Sequence, residues 1–147
     1  MSSDVFRLAR FLEAQEDSYA RALDELRSGR KRSHWIWYVF PQLAGLGVSA
    51  TSQRFGVSGL AEAREYLAHP VLGHRLREST QAMLSHRVSS AEAVLGDVDA
   101  MKFRSCMTLF SLADPAEPVF AEALGRFFEG KRDPATLELL QRQQRKP

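Results

Sequence analysis

Apolar residues recur at helical spacing along most of the chain, and short polar or Gly/Pro punctuation separates the runs. Asp4 can cap a first helix with Val5, Leu8, Phe11 and Leu12 on one face. Gln15-Glu16-Asp17-Ser18 breaks it, and a second helix carries Tyr19, Ala22, Leu23 and Leu26 before stopping at Gly29. Ser58 is placed to cap a helix with Leu60, Ala63 and Leu67 inward. His69-Pro70 ends that helix and opens the next, with Pro at its first position and Leu72, Leu76, Ser79 and Met83 at helical spacing. Ser90 caps a short helix ending near Gly96, and Asp97 a longer one through Leu112. On that long helix Lys102, Ser105, Leu109 and Leu112 share one face and Phe103, Met107 and Phe110 another, leaving Arg104, Thr108 and Ser111 toward solvent. Phe120, Leu124, Phe127 and Phe128 form an apolar stripe that Gly130 stops, and Asp133-Pro134 starts a last helix with Leu137 and Leu140 inward.

No run of strands alternates apolar and polar positions. Trp35–Phe40 has high β-propensity, but it has no evident strand partner and lies between a capping Ser33 and Pro41, so it reads as a short buried helix. The pattern therefore predicts an all-α fold: a compact, single-domain orthogonal bundle of about seven to nine short helices over residues 1–147. The polar tail 141–147 is expected to fray.

Composition narrows the classes. With 44% hydrophobic residues in 147, the chain can bury a sizeable core without metals or disulfides. The single cysteine, Cys106, excludes an internal disulfide and favours a cytoplasmic location; in its apolar run it reads as a small buried hydrophobe. No apolar stretch approaches a membrane span or a signal-peptide core. Twenty Lys/Arg against 18 Asp/Glu leave +2, a small excess for a nucleic-acid binder, and only Arg27–Arg32 is locally basic. No His/Cys/Asp/Glu cluster has zinc spacing, so neither a metal nor a cofactor is expected.

Four segments could carry chemistry. Lys31-Arg32-Ser33-His34-Trp35-Ile-Trp37-Tyr38-Val-Phe40-Pro41-Gln42 places aromatic faces between cations and an amide, which suits a base ring with phosphates and equally suits a core helix. The stretch Gln42–Gly59 is long for a loop, and Gly45, Gly47, Ser49 and Ser52 within it permit close backbone approach and supply hydroxyls. Lys102, on a helix with two apolar faces, must snorkel, pair with Asp99 or serve a site; Ser105 shares its face. Arg75 could clamp a phosphate or carboxylate, or simply pair on the surface.

These segments together resemble the bacterial domain-of-unknown-function family 1810, most specifically through Ser33-His34-Trp35…Trp37-Tyr38…Phe40-Pro41-Gln42. The likeness continues through Gly45-Leu46-Gly47, His69-Pro70-Val71-Leu72-Gly73, Lys102…Ser105…Met107-Thr108-Leu109-Phe110 and Asp133…Thr136-Leu137. Cys106 departs from it, standing where the family pattern usually has a second Ser. The resemblance implies a mainly helical domain and no established activity. Members are sometimes labelled calpastatin, but calpastatin proper is an intrinsically disordered inhibitor and this chain has the composition of a folded protein. Leu72-Gly73-His74-Arg75 followed by Lys102-Phe103 is also similar to the NADAR superfamily, which handles NAD and ADP-ribose derivatives, with His74 interrupting the register.

The resulting expectation is a small-molecule, nucleotide-like ligand held by Lys31, His34, Trp35, Trp37, Gln42, Ser49, Ser52, Arg75, Lys102 and Ser105. If the protein is an enzyme, it is a glycosidase-type hydrolase cleaving an N-glycosidic bond of an ADP-ribose derivative, with His34, Asp99 and Lys102 as catalytic candidates. The alternative is a protein-interaction module that exposes Trp35–Phe40 on its surface.

Overall fold

A computed structural model describes residues 4–145. Ten helices cover them: α1 (Ala9–Glu16), α2 (Tyr19–Ser28), α3 (Ile36–Val39), α4 (Ala50–Arg54), α5 (Leu60–Ala68), α6 (Leu72–Leu84), α7 (Ala91–Leu95), α8 (Asp97–Ala113), α9 (Pro118–Phe128) and α10 (Pro134–Arg145). The fold is all-α. The tenth helix, beyond the expected seven to nine, is α4 inside the Gln42–Gly59 loop, where Ser49 caps it by accepting from the Ser52 amide. Gln141–Arg145, expected to fray, continue α10; Lys146 and Pro147 lie outside the described residues.

Several helix starts use other atoms than the pattern suggests. Asp4 accepts from the Leu8 and Ala9 amides, but α1 begins only at Ala9, so Val5 is exposed and not on its apolar face. Gly59, not Ser58, is the N-cap of α5, and Glu62 reaches back to the Ser58 amide and hydroxyl. Pro70 precedes α6 and is not part of it; the Val71 and Leu72 amides donate to His69 Nδ1.

The middle of the molecule is α8, which packs against α3, α5, α7, α9 and α10. Phe103, Cys106, Met107, Leu109 and Phe110 are all fully buried on it. Thr108 and Ser111, expected toward solvent, are buried as well. For Thr108 the reason is the α9–α10 linker. Arg104 donates to the Lys131 and Arg132 carbonyls, and the Asp133 amide donates to Thr108 Oγ1, so the linker lies along the third face of α8. Burial also raises the Cys106 thiol well above its ordinary range, which leaves it un-ionised and inert.

Among the described residues the only strand-like pairing is a parallel bridge, Leu43 with Val57, made by the Ala44 and Val57 amides donating to the Val57 and Gln42 carbonyls. It closes the neck of the Gln42–Gly59 loop and fixes the backbone at Gln42. Arg10 ties α1 to the same neck: its guanidinium donates to the Arg54 and Gly56 carbonyls and to Glu62 of α5, 2.8 Å away. No helix among the described residues is long and apolar enough to cross a membrane.

Close approach of α6 to the end of α5 requires a glycine at residue 73, because a Cβ there would collide with the Leu67 carbonyl. Gly73→Ala should destabilise the fold by about 1–3 kcal/mol. Gly125→Ala, on α9 where an added Cβ meets nothing, should stabilise it by about 0.5–1 kcal/mol. Urea unfolding midpoints of the two variants, moving in opposite directions, check this.

Candidate functional site

The site is built from an acid on an apolar helix face. Ala22, Leu23 and Leu26 turn α2 inward, and Glu25 sits among them, buried. A carboxylate in that position needs donors. Glu25 Oε1 accepts from the Arg32 amide (2.8 Å), the Ser33 amide (3.0 Å) and the Trp35 indole (2.9 Å), and Oε2 from the Ser33 hydroxyl (2.7 Å). Burial alone would push this carboxyl up; the four donors outweigh it and hold it at about 2. The segment after α2 is thereby folded back onto α2. The Lys31 amide donates to the Val94 carbonyl at the end of α7, which sets the Lys31 side chain beside the first turn of α8.

There the charges are uneven. Lys31 Nζ is 2.9 Å from Asp99 Oδ2, while Lys102 Nζ is 3.9 Å from Asp99 Oδ1. Each ammonium also lies over an indole: Lys31 is 5.0 Å from the Trp35 ring and Lys102 is 4.9 Å from the Trp37 ring. One carboxylate facing two ammonium groups leaves one positive charge over. Lys31 holds the closer pairing with only 8% of its side chain exposed, and Lys102 borders a cleft.

That cleft has a volume of about 270 Å³. Gln42, Lys102, Ser105 and Asp133 form its polar part; Leu46, Val98 and Met101 are apolar. Asp133 Oδ2 caps α10 by accepting from the Thr136 amide (3.0 Å) and hydroxyl (2.6 Å), and it lies 3.1 Å from Ser105 Oγ. Oδ1 accepts no hydrogen bond among the described residues, so the carboxylate keeps one oxygen for other donors. A larger groove of about 490 Å³ runs past Glu13, Tyr38, Thr51 and Arg54, but of the expected ring-stacking and site residues it gathers only Tyr38.

Of the expected site residues, Gln42, Lys102 and Ser105 share the cleft, and Lys31 and Asp99 adjoin it through Lys102. Ser52 stands behind Gly47, a cleft residue on which a Cβ would overlap the Ser52 hydroxyl. Ser49 and Ser52 bond to one another at 2.9 Å at the start of α4. His34 is exposed and does not line the cleft. Arg75 does not line it either: it donates to Gln15 Oε1 at 3.2 Å and lies 4.8 Å from the Tyr19 ring, joining α6 to α1 and α2.

Trp35 is not available for stacking on a ligand, being 1% exposed with its indole N–H on Glu25. Trp37 is half-buried, and its Nε1 is buried with no partner among the described residues. Of the segment that the interaction-module reading would expose, Trp35, Ile36, Val39 and Phe40 are core, while Trp37 and Tyr38 are half-buried. Sequence reasoning missed two residues. Asp133 reads in the sequence as the start of a helix and as part of the family pattern, not as a site residue. Glu25 had one visible signal, an acidic residue interrupting the apolar face of Ala22, Leu23 and Leu26.

A family model described as "Protein of unknown function (DUF1810)" matches residues 5–140. The chain is similar to a conserved hypothetical protein, Rv1873, from Mycobacterium tuberculosis, whose crystal structure was solved at 1.38 Å. The two share 44% identity over 94% of this chain and 99% of that one, with a TM-score of 0.92. No curated protein matches.

The depressed Glu25 carboxyl carries a stability signature. Its displacement from 4.5 to about 2 corresponds to about 3 kcal/mol, complete above pH 4.5 and lost as pH falls from there through 2. Glu25→Gln should therefore cost about 2–3 kcal/mol at pH 7, and the gap to wild type should narrow by about half at pH 3. Urea denaturation of both proteins at the two pH values measures it.

Proposed function

The chain belongs to the DUF1810 family, and from the cleft on its α8 we propose that it is a small-molecule-binding helical domain whose ligand is anionic and nucleotide-like, such as an ADP-ribose derivative. The observation that carries the reading is the surplus charge of Lys102. Asp99 lies 2.9 Å from Lys31 and 3.9 Å from Lys102, so two ammonium groups share one carboxylate and Lys102, with the longer pairing, is the one that borders the cleft. A cation on a partly desolvated wall attracts a phosphate or carboxylate more strongly than one in bulk water. Gln42 supplies both an amide donor and a carbonyl acceptor at the same cleft, and its backbone is held by the loop-neck bridge. Asp133 Oδ1 and Ser105 Oγ offer acceptors for ligand hydroxyls. Gln42 and Lys102, from segments remote in the chain, meet at this recess beside Ser105 and Asp133, which the cap of α10 brings together.

The distant NADAR likeness points to the same ligand class. A hydrolytic version of the reading uses Asp133, not Asp99, as the carboxylate near an oxocarbenium-like centre, because Asp99 is flanked by two ammonium groups. His34 and Arg75 take no part in either version.

Thermal unfolding in the presence of millimolar NAD, ADP-ribose and ribosylated purines tests the binding reading. A ligand at 100 times its dissociation constant adds about 2.7 kcal/mol, which raises the melting temperature by several degrees in a domain of this size. Lys102→Ala should leave the unliganded melt within a degree or two and weaken ligand binding about tenfold or more. Unmoved melting curves across the whole panel overturn the reading.

A further inference from the structure

The cleft's dimensions and charge set a tighter limit on its ligand. Its volume of about 270 Å³ lies under the range of about 300–1,000 Å³ in which pockets bury drug-sized ligands. One nucleotide unit is enough to occupy such a recess, and a larger ligand would extend out of it. Charge gives the same count. Among the described residues Lys102 is the one cation lining the cleft, and Lys31 beside it holds the closer pairing with Asp99 at 2.9 Å. A pyrophosphate would bring two anionic groups to one ammonium, with the Asp133 carboxylate on the same wall repelling the second.

The remaining chemistry is distributed as a mononucleotide would need it. Asp133 has an oxygen without a donor among the described residues, as a carboxylate that accepts from a ribose diol requires. The apolar part includes Val98 and Met101, 66% and 69% exposed, large side chains left uncovered at the rim of a polar recess. A flat base laid on them would cover apolar surface that is otherwise hydrated. Both residues are on α8 at the spacing of Lys102 and Ser105, so the apolar rim and the cation are held by one helix.

We propose that the cleft is specific for a 5′-mononucleotide, with the phosphate on Lys102 and Gln42, the ribose diol on Asp133 and the base against Val98 and Met101. This rests on the binding reading above and narrows its ligand. No bond is made or broken.

Isothermal titration of the full chain with AMP, GMP, CMP and UMP, with adenosine, with 2′-deoxy-AMP and with ADP-ribose tests it. At least one 5′-mononucleotide should bind as tightly as ADP-ribose or more tightly. Removing its phosphate, as adenosine does for AMP, should cost tenfold or more, and Lys102→Ala should abolish that difference. The 2′-deoxy compound should bind about fivefold to tenfold more weakly, and Asp133→Asn, which can still cap α10, should erase the discrimination. The ribose comparison stands on the ligand alone, so it reads the proposal even where a variant folds poorly. ADP-ribose binding more tightly than every mononucleotide would overturn this inference and leave the binding reading in place. Failure of every compound to bind would overturn both.

Discussion

Everything distinctive about this molecule hangs on the carboxylate of Glu25. Four donors from Arg32, Ser33 and Trp35 converge on it, and without it the Lys31–Trp35 segment would have two amides, a hydroxyl and an indole to satisfy elsewhere. With it, the chain folds back on α2 and delivers Lys31 to the first turn of α8. That contact gives Lys31 the closer of two pairings with Asp99, so Lys102 keeps only the longer one, at 3.9 Å, and one positive charge is in excess. A buried hydrogen-bond hub thus sets the electrostatics of a cleft in which it has no atom. Hubs of this kind are all-or-nothing: satisfied, they order a segment, and half satisfied they cost more than an apolar replacement.

The central helix makes the second half of the arrangement. One face of α8 is sealed by aromatic packing, with Phe103 4.8 Å from Phe40 and Phe110 5.4 Å from Tyr66. Another face carries Val98, Met101, Lys102 and Ser105 to the cleft. The third is covered by the α9–α10 linker, bonded through Arg104 and Thr108. The same linker bonds hold Asp133 against Ser105. A helix packed on every side but one is a rigid platform, and rigidity lowers the ordering cost of binding.

Much of the architecture was legible because it rests on local rules. Ser90 caps α7, Gly29 ends α2 in the left-handed conformation, and the stripe of Phe120 and Leu124 lies buried on α9, each as side-chain spacing and backbone freedom dictate. The Ser33–Gln42 block was legible as unusual, and Gln42, Lys102 and Ser105 were legible as candidates. The roles of Trp35, Arg75 and His34 were not, since a buried Trp and a stacking Trp look alike in sequence. Thr108 reads as part of a solvent face because its cover, residues 131–133, comes from far along the chain.

The sequence by itself determined the class of fold, the borders of most helices to within a turn, the lack of any internal disulfide and the membership of the Ser33–Gln42 block in one family pattern. These follow from interactions spanning a few residues. Only the tertiary structure decided which of two lysines keeps Asp99, that Asp133 has an oxygen to spare and that Gln42 meets Lys102 at one cleft. Those depend on distances between segments remote in the chain, where a difference of about one ångström settles which ion pair forms. Coulomb energy and hydrogen-bond geometry are decided at that scale, and periodicity carries no information about it.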